Sequence, residues 1–164
     1  MSSPSNGVQI RAIRASDREP LLAMVAGAGV FTQEEVETAE ELVDGTLDPD
    51  GDPDPYLILV AELDSRIVGY VCYGHIPMTE ASWDLYWIAT DAKVRRQVVA
   101  HKLCQAMEQD IQERGGKHVR VETSSTAGYD AAHRFYERAG YPVVCRLADF
   151  YKPGDDLLQM YKHL

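Results

Sequence analysis

Apolar and polar positions change period several times along the chain, and each change marks an element. Residues 7–14 alternate, with Val8, Ile10 and Ala12 on one side, and predict a first strand. Ser16 and Asp17 offer a helix start, and Pro20 suits a first turn. Leu21, Leu22, Met24, Val25 and Ala28 give that helix an apolar face, which Gly27 and Gly29 bring to an end. Thr32 followed by Glu35 is a capping-box pattern; it predicts a second helix with Val36, Ala39 and Val43 on one side. Residues 47–55 (LDPDGDPDP) hold three prolines and a glycine and read as a loop. Residues 56–63 and 67–76 are apolar runs around the turn Asp64-Ser65-Arg66, a hairpin. Residues 83–90 (WDLYWIAT) are apolar on both faces, which predicts a central strand. Val99, Leu103, Ala106, Met107 and Ile111 then recur at helical spacing, and Gly115-Gly116 stops that helix. Residues 117–123 (KHVRVET) alternate again as a strand. Ala131, Ala132, Phe135 and Ala139 mark a last helix, with Arg138 in its final turn and Gly140 beyond. Residues 141–150 and 157–164 predict two closing strands around the turn 152–155.

The order is strand, two helices, three strands, helix, strand, helix, two strands. It predicts an α/β (α+β) fold: a mixed, largely antiparallel sheet of about seven strands with four helices and one βαβ-like crossing. A flexible N-terminus at 1–7 and a single domain over 8–164 are expected.

Composition narrows the function classes. The chain has 164 residues, 45% hydrophobic and 26% charged, which suits a globular protein with a real core. No run approaches the roughly 18 apolar residues of a membrane span, and the first residues show no signal-peptide pattern. Cys72, Cys104 and Cys145 are widely spaced and never CxxC, so neither a disulfide framework nor a zinc site is expected. These features predict a cytoplasmic protein without a membrane partner. The formal net charge of −10 argues against a nucleic-acid partner. That charge is uneven: Glu19 to Ser65 holds 13 acidic residues and no basic one, whereas Lys93, Arg95, Arg96 and Lys102 form a basic island with no acid.

The basic island stands at the start of a predicted helix, where partial positive charge and unpaired N–H groups already gather. Cations stacked on that end make an anion site one reading; a solvated basic turn is the other.

The segment that carries this island resembles a known family. Residues 94–103 (VRRQVVAHKL), after the central strand, resemble the acyl-CoA motif Q/R-x-x-G-x-G/A of the GCN5-related N-acetyltransferases (GNAT). The motif falls on Arg95, Val98 and Ala100. Residues 132–141 (AHRFYERAGY) resemble the last-helix signature of the same family, and the order of elements matches from about Val8 to Leu164. There are departures. Val98 stands where the motif has its first glycine, Arg96 where a glycine is frequent, and Tyr129 where many members have asparagine. A valine Cβ at that position would crowd a pyrophosphate.

The resemblance implies transfer of an acetyl group from acetyl-CoA, as co-substrate, directly to an amine. It implies pyrophosphate contacts along Arg95, Arg96, Gln97, Val98, Val99, Ala100 and His101, and pantetheine contacts beside Ile88, Ala89 and Thr90. Tyr136 takes the position of the acid that protonates the departing thiolate, and Asp84 that of a carboxylate base, with Glu122 in reserve. From spacing alone, Tyr136 reads rather as a core aromatic beside Phe135, and Asp84 equally as a solvent-facing strand-edge acid. The acidic first third would border the acceptor and steer a cationic small-molecule or peptide amine, with Phe31 as an apolar wall. Homodimers are frequent in the family, and the closing strands are the place for one. A rival reading is a GNAT-fold module that has lost catalysis and binds a ligand or partner. Asp48, Asp50 and Asp52 lack the remaining pattern of a calcium loop, and no histidine has metal-ligand spacing with cysteine, so no metal site is expected.

Overall fold

The computed structural model describes residues 7–29, 31–51, 56–94 and 96–164. β1 (Gln9–Ala12) leads through a 3-10 turn into α1 (Arg18–Gly27) and α2 (Gln33–Leu47). Then come β2 (Leu57–Leu63), β3 (Arg66–His75), β4 (Ser82–Thr90), α3 (Arg96–Glu113) and β5 (His118–Ser124). A second 3-10 turn precedes α4 (Asp130–Arg138), and β6 (Val143–Lys152) and β7 (Asp155–His163) close the chain. The strands are hydrogen-bonded in the order β1-β2-β3-β4-β5-β7-β6. The β4–β5 pair is parallel, while β1–β2, β2–β3, β5–β7 and β6–β7 are antiparallel. This is the mixed seven-stranded sheet with four helices that the periodicity predicts.

Two compact units divide the chain, Met1–Gly74 with Trp87–Met107 and His75–Tyr86 with Glu108–Leu164. In the first, Leu21 and Val25 of α1 and Ala39 and Val43 of α2 cluster with Ile58, Val60, Tyr70, Cys72 and Ala89. Alternation places Tyr70 and Cys72 on one face of β3. Gly69, on the other face, receives α3: an added Cβ there would lie 3.0 Å from Ala89 O, 3.0 Å from Val99 Cγ1 and 3.1 Å from Leu103 Cδ1. Only glycine lets the helix seat this close to the strand. The cap read at Thr32 forms as expected: Glu35 N donates to Thr32 Oγ1 at 3.2 Å and Thr32 N to Glu35 Oε2 at 2.7 Å, a device worth about 1 kcal/mol. Arg18 joins α1 to α2 by binding Glu19, Glu40 and Asp44. Its hydrogen bond holds the Asp44 carboxyl below the usual range.

In the second unit, Trp83, Leu85, Ile111, Val119, Val121, Leu158 and Met160 are buried. Tyr141 is fully buried rather than opening β6 as the alternation suggests. Gly140, at φ +92°, turns the chain after α4, and Tyr141 N then donates to Tyr136 O at 2.9 Å. The Tyr141 hydroxyl donates to Glu108 Oε1 at 2.8 Å, a carboxylate that also binds Lys162. These local anchors outweigh strand propensity and delay β6 to Val143. Ser124 Oγ donates to Asp155 Oδ1 at 2.5 Å and Asp156 N to Ser125 Oγ at 2.8 Å, fastening the end of β5 to the start of β7. His133 Nε2 lies 2.8 Å from Ser124 O, which ties α4 to the same corner.

Candidate active site

The parallel pairing of β4 with β5 is brief. It covers Ser82↔His118, Trp83↔Val119 and Asp84↔Arg120, although both strands continue well past these residues. The pairing described for the two strands ends at Asp84 and Arg120.

In the first unit, Ile88, Ala89 and Thr90 of β4 line a hollow of about 160 Å³ with Ala28, Phe31 and Arg96. The three strand residues expected to carry the pantetheine arm therefore share one cavity with an arginine at the start of α3. Asp91 shapes the turn between them: its Oδ1 accepts from Lys93 N at 2.9 Å and its own N–H donates to Val68 O at 2.9 Å. An aspartate two residues before Lys93 is the sequence signal of this Asx turn. At the α3 amino end, Arg96, Val98 and His101 are exposed and Ala100 is half-buried. Val99 is buried in the Gly69 contact, so only its backbone can meet a ligand. Arg95 and the Gln97 side chain lie outside the described residues. Val98 is 44% exposed and fills no space inside the fold; the end of α3 thus offers free N–H groups, Arg96 and His101 to an anion, which fits a phosphate.

In the second unit, Asp84 is not the available carboxylate that its position suggested. Arg120 Nε donates to Oδ1 at 2.8 Å and Nη2 to Oδ2 at 2.9 Å, so both oxygens are taken by one guanidinium. That bidentate pair raises the Arg120 pKa. Glu122, two residues along β5, accepts from Gln159 Nε2 at 2.8 Å and stands 3.5 Å from Arg120 Nη1, both through Oε1. Its other oxygen has no partner among the described residues. Arg120 and Gln159 are neighbours of the candidate carboxylates that sequence reasoning missed, since both partnerships cross strands. Burial, followed by the charges of Glu122 and Asp155, pushes the Tyr151 pKa up.

Tyr136 of α4 is buried at 6% exposure, with its ring edge-on to Phe135 at 5.5 Å and to Tyr141 at 6.2 Å. Two of the three thiols, Cys72 and Cys104, are shut away from any ligand. Burial pushes Cys72 up to about 12, and Cys104 is buried. A larger hollow of about 560 Å³ also opens in the first unit, but its charged walls are already occupied. Arg11 binds Asp17 and Glu62 there, and Arg66 stands 3.7 Å from Asp91. No metal-ligating cluster of three His, Cys, Asp or Glu occurs among the described residues, and no described helix is long and apolar enough to cross a membrane.

Comparison with known proteins bears on the family and the fold. The acetyltransferase (GNAT) family model matches residues 21–141. A crystal structure of a GNAT-family protein from Desulfovibrio desulfuricans superposes with a TM-score of 0.90 at 34% identity, covering 96% of this chain and 99% of that one. The ribosomal-protein-S18-alanine N-acetyltransferase of Escherichia coli shares the fold, with a TM-score of 0.74 at 16% identity over 96% and 94% of the two chains. The Xenopus laevis protein named "Probable N-acetyltransferase camello" is 36% identical over 84 residues, which is 50% of this chain and 36% of that protein's length.

Proposed function

From the premise that the chain belongs to the acetyltransferase (GNAT) family, we propose that it transfers an acetyl group from acetyl-CoA to a primary amine. The observation that carries this reading is the hollow where Ile88, Ala89 and Thr90 meet Arg96. When bound, acetyl-CoA supplies the acyl carbon that the amine attacks and the thiolate that departs. Backbone N–H groups of residues 88–90 would hold the acyl oxygen, and the α3 amino end with Arg96 would hold the pyrophosphate. Glu122 would take the ammonium proton, directly or through one water, while Asp84 holds Arg120 in place beside it. Tyr136 would give its hydroxyl proton to the departing sulfur.

Titration with acetyl-CoA tests the premise. A ligand at 100 times its Kd adds about 2.7 kcal/mol of apparent stability, which a thermal melt reads directly. A Val98→Gly variant should bind more tightly if the valine crowds the phosphate. No melt shift at millimolar acetyl-CoA in either protein would overturn the enzyme reading and leave the rival, a binding module without catalysis.

The acceptor is proposed to be cationic, but the acidic stretch is partly spent. Glu19, Glu40 and Asp44 share the single positive charge of Arg18, and Glu35 is committed to its cap. Glu34 and Glu37 remain on the exposed first turns of α2. The double change Glu34→Gln and Glu37→Gln should raise KM for cationic amines several-fold at low salt and flatten its salt dependence. An unaltered salt response would remove steering.

A homodimer is the proposed assembly. β6 is an edge strand that exposes Val143, Val144, Leu147, Phe150 and Tyr151, a surface that monomers seldom leave open. Light scattering should return twice the 18.3 kDa chain mass and fall to that of one chain for Leu147→Asp with Phe150→Asp; a native mass of one chain rejects the dimer. The three free cysteines support a reducing, cytoplasmic setting.

A further inference from the structure

The larger hollow of the first unit takes no part in the proposed transfer. It measures about 560 Å³, and its walls differ in kind. Pro20, Ala23 and Met24 of α1 and Ile67 of β3 make one side apolar. The more buried charges are committed to one another. Arg11 Nη1 and Nη2 donate to Asp17 at 2.7 and 2.9 Å, and Nε and Nη2 donate to Glu62 Oε2 at 2.9 and 2.6 Å. Asp17 also accepts from Arg14 N at 2.7 Å. The other charged pair of the lining is looser. Arg66 Nη2 stands 3.7 Å from Asp91 Oδ2, beyond hydrogen-bond reach, and the Arg66 side chain is 68% exposed. Asp91 Oδ2 has no hydrogen-bond partner among the described residues, since the bond to Lys93 N falls on Oδ1. All of these residues belong to the same compact unit.

We propose that this hollow is a second ligand site, for a free α-amino acid with an aliphatic side chain. Such a zwitterion holds its charges close together, with about 2.5 Å between the nitrogen and the carboxyl carbon. Laid alongside the Arg66–Asp91 pair, it sets its ammonium against Asp91 and its carboxylate against Arg66. Four charges then alternate around a square, and each member of the protein pair gains the close partner it lacks. The exposed Arg66 adjusts by side-chain rotation alone. The aliphatic side chain of the ligand lies on Met24 and Ile67, out of water. A simple anion meets Asp91 and a simple cation meets Arg66, so either is opposed by one member of the pair. A dipeptide carries its termini a whole residue further apart, too far for a pair spanning 3.7 Å. Occupancy also reaches the start of α3. Asp91 Oδ1 accepts from Lys93 N and its own N–H donates to Val68 O, both at 2.9 Å, so the same carboxylate shapes the turn before Arg96. An ammonium on Oδ2 fixes that carboxylate and tightens acetyl-CoA binding. This coupling rests on the reading of α3 given above; the site itself does not.

Calorimetry with leucine on the full-length protein, without acetyl-CoA, tests the site apart from the transfer reading. Glycine should bind about tenfold more weakly than leucine for want of the apolar contact. N-acetylleucine and leucinamide each lack one charge and should also lose about tenfold. Arg66→Gln should weaken leucine about tenfold and leave acetyl-CoA affinity unchanged; the side chain is exposed, so the variant should fold. Methyl spectra of the native protein, which has five methionines, need no variant: the Met24 signal should move with leucine and not with leucinamide. Saturating leucine should tighten acetyl-CoA about fivefold in the native protein and not in Arg66→Gln. No leucine binding at millimolar concentration, leucinamide binding as tightly as leucine (the behaviour of an acceptor amine), or unaltered leucine binding in Arg66→Gln overturns the site. Leucine binding with no binding of acetyl-CoA keeps the site and overturns the transfer reading. Leucine binding that leaves acetyl-CoA affinity unmoved keeps the site and overturns the coupling.

Discussion

Replacing Tyr136 with phenylalanine is expected to lower kcat by about 10²- to 10⁴-fold, the usual worth of a positioned proton donor, with far less change in acetyl-CoA affinity. The substitution removes one oxygen and keeps the ring that packs edge-on to Phe135 and Tyr141. The loss should fall on departure of the thiolate. An acyl donor whose thiol is more acidic needs less help to leave and should recover part of the lost rate. Native turnover in Tyr136→Phe would reject the donor role. A loss that no leaving group rescues would make Tyr136 a structural residue.

Glu122→Gln is expected to cost about 10²-fold in kcat/KM for acceptors that arrive protonated, within the range for general-base assistance. The variant keeps the side-chain shape and a hydrogen-bonding oxygen for Gln159, so the fold should hold. Its rate should then follow the free-amine fraction of the acceptor alone, and the pH profile should rise where that amine titrates. Asp84→Asn is expected to behave differently. It leaves Arg120, two-thirds buried, without its bidentate partner, so it should lower the melting temperature as well as the rate. Removing one member of such a pair costs more than the pair itself contributes. If Asp84→Asn abolishes the pH dependence and Glu122→Gln does not, the two carboxylates exchange roles.

What could be read along the chain was what neighbours in sequence decide. The cap at Thr32 and Glu35, the hairpin at Asp64-Ser65 and the stop after α3 all depend on contacts a few residues apart, and all appear where the periodicity placed them. Tyr141 shows the limit: alternation assigned it to a strand, whereas its hydroxyl is held by Glu108, 33 residues away. Asp84 shows it at the site, where its guanidinium partner comes from another strand 36 residues on. The acidic stretch shows it for charge. A count from Glu19 onward omits Arg18, just outside it, whose one positive charge is shared by three of its members. Trp87 carried no sequence signal beyond being apolar, although its buried indole Nε1–H has no partner among the described residues.

The short pairing of β4 with β5 has a consequence for the protein before it meets any substrate. Two strands that part inside a sheet create edges where the surrounding strands have none. Such an edge is a standing invitation to any extended chain, and under the proposed function the molecule that answers it is not protein. The amides of a pantetheine arm would then serve as a removable strand, and filling the gap would be a late folding step repeated in every catalytic cycle. Amide exchange along residues 85–90 should accordingly slow when CoA is added, turning cofactor occupancy into a measure of how complete the sheet is.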